Sequence, residues 1–348
     1  MKNLAFKLII PITLLALILS CSNNNDDATP PQLVETIYVA GYEFNGTVDV
    51  AKYWKNGVAT SLSDGIKDAQ ARSIFVYNND VYTTGSDYNG TKSVAKYWKN
   101  NNEITLSDGT QDAYGQSIFV YNNDVYVAGF EYSGTNTIAK YWKNGVPINL
   151  TNGIKSAIAL SIFVINNIVY VAGREMGDTH MVAKYWKDNV AVILTDGTKA
   201  AYTNSIFVSN NDVYVAGYDK NNGVGTKYVA KYWKNGIAVN LSDGTYNARA
   251  KSIFVLNNDV YVAGEESPPG TLFVGKNWKN SIGTNLTNGD NDASAYSIYA
   301  LNNDFYTAGY ERIGSISVAK YWKNGLLPAV NLTDGTQNAI ATSIFVTN

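Results

Sequence analysis

One cysteine and one histidine among 348 residues close off much chemistry at the outset. A sole Cys cannot make an internal disulfide, and a sole His, His180, excludes a His-rich metal centre and leaves any His-dependent triad one candidate base. Arginine is scarce, with four residues in a total of 27 Lys and Arg. Against 29 Asp and Glu the formal charge is −2, which removes the electrostatic case for nucleic acid, whose binding needs a basic face. Charged residues make up only 16 %, and no segment keeps a helical apolar period over ten or more residues, so neither a disordered nor a helical chain is indicated. Aromatics and glycine are abundant instead: seven Trp, 26 Tyr and 29 Gly in a chain that is 45 % hydrophobic, a composition suited to a large β-rich core.

Lys2 and Lys7 accompany an apolar stretch from Leu8 to Leu19 that is too short to cross a ~30 Å bilayer comfortably, so residues 1–20 read as a secretory signal peptide. The end of that stretch, Ile18-Leu19-Ser20-Cys21, resembles a bacterial lipobox. The resemblance implies cleavage before Cys21 and attachment of acyl chains, palmitate among them, to that cysteine; an uncleaved anchor with an incidental Cys is the alternative. Residues 21–35, with three Asn, Asp26, Asp27 and two Pro, read as a flexible tether. Acidic residues so close to Cys21 resemble the surface-export signal of Bacteroidota-type lipoproteins, although solvated linker residues have the same composition. The resemblance implies a protein held on the bacterial outer membrane through Cys21 and exposed at the cell surface, with a periplasm-facing arrangement as the alternative. Loss of residues 1–20 leaves 25 basic against 29 acidic residues, a net charge of −4.

The seven tryptophans, Trp54, Trp98, Trp142, Trp186, Trp233, Trp278 and Trp322, are spaced by 44, 44, 44, 47, 45 and 44 residues. A period near 45 marks a repeat architecture. One unit, Ser117 to Leu160, holds four β-like runs: Ser-Ile-Phe-Val, Asp-Val-Tyr-Val-Ala-Gly, Thr-Ile-Ala-Lys-Tyr-Trp-Lys and Pro-Ile-Asn-Leu. An Asn-Asn-Asp turn joins the first pair and an Asn-Gly turn, at Asn144-Gly145, the second. Four antiparallel strands per unit predict a propeller blade. The chain begins its repeats at Thr36 with a second strand and ends at Ser343–Asn348 with a first strand, so the two ends together make one blade. Residues 36–348 therefore resemble a single all-β, seven-bladed β-propeller of four-stranded antiparallel blades, closed by the C-terminal strand pairing with the three N-terminal ones, which leaves no open sheet edge. The paired Gly-His and Trp-Asp of WD40 blades, the double glycine of kelch and the Asp box of sialidases are all missing.

Comparison among the units shows where length varies. The segment after the second strand's Gly has ten residues in five units but 13 in the fifth and 11 in the sixth, where Lys220, Asn221, Asn222, Tyr228, Pro268, Pro269 and Phe273 break the pseudo-symmetry. That loop shares a rim with the crossover to the next blade, so this rim is the candidate binding face, with drift in unconstrained turns as the alternative. The crossover supplies a second variable set. Just before each inner strand stand Arg72, Gln116, Leu160, Asn204, Lys251, Tyr296 and Thr342; two positions earlier stand Gln70, Tyr114, Ile158, Tyr202, Arg249, Ser294 and Ile340. These positions are expected to ring the mouth of the central channel, and Arg72, Gln116, Asn204, Lys251, Tyr296, Tyr114, Tyr202 and Arg249 are its candidate ligand-binding residues. Leu160 and Ile340 at equivalent points indicate that part of the ring is packing.

Regular features read first as scaffold. Each unit has an acid two residues after the second strand's Gly (Glu43, Asp87, Glu131, Glu175, Asp219, Glu266, Glu311) and a Lys on the adjacent strand (Lys52, Lys96, Lys140, Lys184, Lys231, Lys276, Lys320). Cross-strand ion pairs are expected, worth little if exposed. The Trp residues are expected between blades, and the recurrent Asp-Gly or Asn-Gly is a turn without the ladder of a calcium loop, so no metal and no cofactor is assigned. His180, beside Arg174, Glu175 and Asp178, is the best candidate base, and Arg174 and His180 join the candidate site, although no catalytic residue is assigned. The low Arg count speaks against a sialidase-like carboxylate clamp. The leading expectation is a monomeric, lipid-anchored extracytoplasmic protein that binds a glycan or protein on the variable rim, with no nucleic acid partner. A carbohydrate-active hydrolase or lyase using rim carboxylates, and a structural interaction platform, remain alternatives.

Overall fold

A computed structural model describes residues 35–220 and 227–348. The signal peptide, Cys21 and all of the tether except Glu35 lie outside the described residues, as do Asn221 and Asn222 of the fifth variable loop. Among the described residues there are 28 strands in seven four-stranded antiparallel sheets and no helix. Blade 1 joins Ala339–Thr347 to Thr36–Phe44, Asp49–Lys55 and Val58–Ser61, and blades 2 to 7 follow at 69–105, 113–149, 157–193, 201–240, 247–285 and 293–331.

The turns explain why the strands stop where they do. In the first hairpin of blade 2, Asn78 and Asn79 have φ of 49° and 65°, the double left-handed conformation of a two-residue turn whose twist matches the flanking strands. Asn tolerates that region better than most side chains. The second hairpin of blade 2 uses the same device at Asn100-Asn101, with φ of 47° and 70°, and that of blade 1 at Asn56-Gly57, with φ of 49° and 81°. The two turns of a blade are tied together: Asn100 Oδ1 accepts the Val81 amide at 2.8 Å, and Asn100 Nδ2 donates to Asp80 at 2.6 Å. This is the uniform rim. The chain enters the propeller here, where Glu35 accepts from Lys323 Nζ at 2.9 Å and from the Tyr306 hydroxyl.

Closure of the ring is as expected: Val39 pairs with Ile344 across the junction of the two chain ends. The repeated Ser-Ile-Phe has a role that strand propensity does not reveal. Each Ser Oγ accepts the Ile amide of the next blade's innermost strand, at 3.1–3.2 Å in all seven junctions, from Ser73 to Ile118 around to Ser343 and Ile74. The following aromatics, Phe75, Phe119, Phe163, Phe207, Phe254, Tyr299 and Phe345, form a closed girdle around the axis with neighbouring centroids 4.6–4.9 Å apart. Tilted and edge-on aromatic contacts of this kind are favourable beyond the area they bury.

Between blades lies the core. No Trp is more than 2 % exposed, and Trp142, for example, packs against Tyr82 and Ala95 of the preceding blade. Burying one indole removes ~150–250 Å² from water, about 4–6 kcal/mol at ~25 cal/mol/Å² before chain entropy is counted. All seven expected acid–Lys pairs form. Their exposure differs from the expectation of surface pairs: the seven Lys side chains are only 7–19 % accessible. The Asp-Gly and Asn-Gly elements are turns in every blade, with Asp64 Oδ1 accepting the Ile66 amide at 2.9 Å as one instance.

Candidate functional site

Every innermost strand carries a β-bulge at the same place, and the extra residue is the one singled out in front of Ser-Ile-Phe. Pairing skips Arg72, Gln116, Leu160, Asn204, Lys251, Tyr296 and Thr342. A bulge frees one residue from the ladder and re-aims its side chain, so the fold presents one unpaired residue per blade at the channel mouth. The bulge also presses the carbonyl two residues upstream against the second strand. A Cβ on Gly41, Gly85, Gly129, Gly173, Gly217, Gly264 or Gly309 would stand 1.9–2.1 Å from that oxygen. Glycine recurs there because nothing larger fits.

Sequence comparison overlooked a third ring, the residue immediately after that glycine: Tyr42, Ser86, Phe130, Arg174, Tyr218, Glu265 and Tyr310. Its members pair directly with the upstream candidates, as Tyr218 with Tyr202 and Glu265 with Arg249. The signal is a variable position, Tyr in three units and a different residue in each of the other four, between a repeated Gly and a repeated acid; of its members only Arg174 is among the candidates from sequence.

Glu265 is the sole acid of this ring, and it organises the site. Its side chain is 6 % exposed and accepts from Arg249 Nη1 at 2.9 Å and from Lys251 Nζ at 2.7 Å. Lys251 Nζ also lies 2.7 Å from Ser294 Oγ and 4.1 Å from the centroid of the Tyr296 ring. Burial pushes the Glu265 carboxyl up, but the Lys251 ammonium and hydrogen bonds from Lys251, Ser294 and Arg249 outweigh it and hold the group below the ordinary Glu range. Lys251 is drawn the other way: burial and the neighbouring Arg249 guanidinium depress its ammonium against the pull of Glu265. One carboxylate serving two cations is fully stabilised, while each cation has only half a partner. Burial and the Glu265 charge push the Tyr296 phenol up to about 12. Arg249 Nε is buried with no hydrogen-bond partner.

Aromatic rings surround this cluster. Arg174 lies 5.0 Å from the Tyr202 centroid, Tyr202 stacks on Tyr218 at 4.9 Å, and Arg249 lies 5.8 Å from Tyr218. Tyr228 and Phe273, from the two loops that break the symmetry most, close on Arg249 at 5.6 and 5.4 Å. Asn204, Tyr218, Arg249, Lys251 and Tyr296 line a cavity of about 340 Å³. A wider groove of about 490 Å³ lies between blades 3 and 4, but its Glu175, Lys184 and Trp186 recur in every blade, so it follows from blade stacking. The mouth cavity, by contrast, is lined by residues that do not repeat from blade to blade.

Among the candidates from sequence, Asn204, Lys251, Tyr296 and Arg249 thus meet in one cavity, and Tyr202 backs it. Asn204 Nδ2 donates to the Ala250 carbonyl at 2.7 Å, which fixes its orientation. Arg72 bonds Gln70, whose Nε2 donates to Asp49 at 2.6 Å, and lies 5.8 Å from the Tyr42 ring. Tyr114 packs on Phe130 at 5.1 Å, and Gln116 is the bulge residue of blade 3; neither lines the cavity. Arg174 and His180 are not brought together. Arg174 turns to Tyr202, whereas His180 Nδ1 contacts Thr179 Oγ1 at 2.9 Å in its own loop. Among the described residues no three His, Cys, Asp or Glu side chains converge as metal ligands.

No family model matches the chain, and no curated protein matches it. Among solved structures it is similar to the β-propeller domain of the trilobed protease from Pyrococcus furiosus, reported with an open velcro topology, at a TM-score of 0.52 and 9 % identity, over 87 % of this chain and 95 % of that one. It is also similar to the subtype N10 neuraminidase-like protein of A/little yellow-shouldered bat/Guatemala, at a TM-score of 0.49 and 7 % identity, over 75 % and 94 %. Likeness at such identity concerns the fold alone. From its seven four-stranded sheets and the pairing of its two ends, the chain is a closed seven-bladed β-propeller.

Proposed function

We propose that this chain is a lipid-anchored protein of the bacterial outer membrane that binds a glycan at the mouth of its channel. One observation carries the reading: in a scaffold repeated sevenfold in its turns, ion pairs, Trp and Ser-Ile-Phe, the non-repeating mouth residues gather into a buried charge cluster, Glu265–Arg249–Lys251, beside a cavity lined by tyrosines. Tyr218 and Tyr296 line the cavity with aromatic surface, and Asn204, Arg249 and Lys251 line it with polar groups, a combination suited to sugars, which carry both hydroxyls and C–H groups. The anchor fits the same picture. Glu35, where the described residues begin, is held by Lys323 on the uniform rim and not at the mouth. The rim carboxylates that a hydrolase or lyase would use are each held by a lysine, which favours binding over catalysis.

The test is binding of the full chain, in detergent, to glycan and peptide arrays. Glycan binding that is lost in Tyr218→Ala and Tyr296→Ala supports the reading. Hydrolysis of a polysaccharide, or ligands confined to peptides, overturns it. Replacement Cys21→Ser tests the anchor separately, since it should release the protein from the membrane fraction.

A further inference from the structure

The arginines are few but not scattered. Of the four in the chain, Arg72, Arg174 and Arg249 all stand in the rings of the mouth. Elsewhere on this rim the seven repeated lysines each have a carboxylate of their own. At the mouth the balance is different. Arg249 and Lys251 share one carboxylate, and Arg249 Nε has no partner at all. Arg174 makes no ion pair among the described residues and rests on Tyr202, while Arg72 bonds the neutral Gln70. The acids nearest to these cations besides Glu265 are Asp49, held by Gln70, Asp68, which accepts the Asp49 amide at 3.0 Å, and Asp292, held by the Tyr310 hydroxyl at 2.9 Å. Over the whole mouth four cations thus face four carboxylates, but at the cavity Arg249 and Lys251 have only Glu265 between them. Guanidinium groups set against aromatic faces are suited to planar, two-oxygen anions, which they grip through parallel N–H donors.

We infer that the mouth is specific for an acidic saccharide, whose carboxylate lies against Arg249 and Lys251 and whose ring lies beside Tyr218 and Tyr296. The inference rests on the reading of the mouth as a glycan site and adds the charge class of the sugar. A uronic acid supplies both parts at once: one carboxylate to complete the shared pairing at Arg249 and Lys251, and a pyranose face for the tyrosines. The cavity, at about 340 Å³, lies at the small end of the range for small-molecule sites, ~300–1,000 Å³, so it suits one or two sugar units and leaves the rest of a chain on the open rim. An acidic peptide has a carboxylate but no rigid ring of C–H groups beside it, so the aromatic lining of the cavity favours the sugar.

The experiment is calorimetric titration of the full chain in detergent with oligogalacturonates of three to six units and with their methyl esters, which keep the rings and lose the charge. The acid should bind at least ten-fold tighter than the ester, and added salt should weaken it. Arg312→Gln, at the exposed arginine outside the mouth, should leave the binding of both acid and ester unchanged. Arg249→Gln should weaken the acid ten-fold or more; Arg249→Lys, which keeps the charge but not the planar fork, should restore only part of it. Equal binding of acid and ester overturns the inference while the glycan site stands. Binding of an acidic peptide but of neither oligosaccharide overturns both.

Discussion

The carbonyl oxygen of Arg249 occupies the space above Gly264, 2.0 Å from where a Cβ on that glycine would stand. The contact exists because Lys251 is bulged out of the ladder two residues later. Backbone crowding and the placement of a site residue are therefore one feature, and it can be tested.

Gly264→Ala forces that carbonyl to move or the bulge to collapse. Overpacking of this kind costs about 1–3 kcal/mol or more, and it acts on the Arg249 backbone. Chemical denaturation should show the loss, together with weakened ligand binding. Gly236→Ala, where nothing lies within 4 Å of the added Cβ but φ is +84°, should cost only about 1 kcal/mol and leave binding intact.

Glu265→Gln strands two cations, one of them deeply buried, and should destabilise by about 3–5 kcal/mol at neutral pH. The pH profile carries a sign. The folded-state carboxyl is depressed, so its contribution is fully present above the ordinary Glu value of ~4.3 and is lost as pH falls through the folded value. The stability gap between wild type and Glu265→Gln should therefore be constant near neutrality and shrink below pH ~4. A gap independent of pH down to acid unfolding would count against the carboxylate's role.

Ion pairs on the two rims should differ. Asp219 is 4 % exposed and pairs with Lys231 at 2.7 Å and Lys199 at 3.0 Å, so Lys231→Met should cost several kcal/mol, at the ~3–5 kcal/mol scale of a broken buried pair less what Lys199 retains. Lys143 and Asp124 on the uniform rim are 42 % and 36 % exposed, and Lys143→Met should change the denaturation midpoint little. Urea unfolding of both variants gives the comparison.

Removal of residues 338–348 takes away the innermost strand of blade 1 and both of its Ser–Ile links, at Ile74 and Ile344. It exposes the edge of Thr36–Phe44, and the truncated protein should aggregate or lose its single cooperative transition. Ser343→Ala, which removes one acceptor at the same junction, should cost only about 1–3 kcal/mol.

Much of the scaffold was legible in the chain because it repeats. Seven Trp counted the blades, the Asn-Asn and Asn-Gly pairs marked the turns, and the offset between first and last units implied closure. Each of these is a local signal, multiplied by seven. The site was legible only in part. Arg249, Lys251, Asn204 and Tyr296 were found as non-repeating residues near the crossovers, but Glu265 was passed over beside the repeated Glu266, and Arg174 was grouped with His180 because the two are close in sequence.

By itself the sequence determined the all-β repeat, the number of blades, the joining of the chain ends and the acid–lysine pairs, since these follow from local propensity and a fixed period. Tertiary structure alone decided which non-repeating residues meet. Arg174, Tyr218, Arg249, Glu265 and Tyr296 come from four different blades, and their proximity depends on the bulge that turns one residue per blade to the mouth and on the closed ring that holds the blades in register. The count of arginines showed scarcity; their placement shows concentration, because charge acts through distance in space and not along the chain.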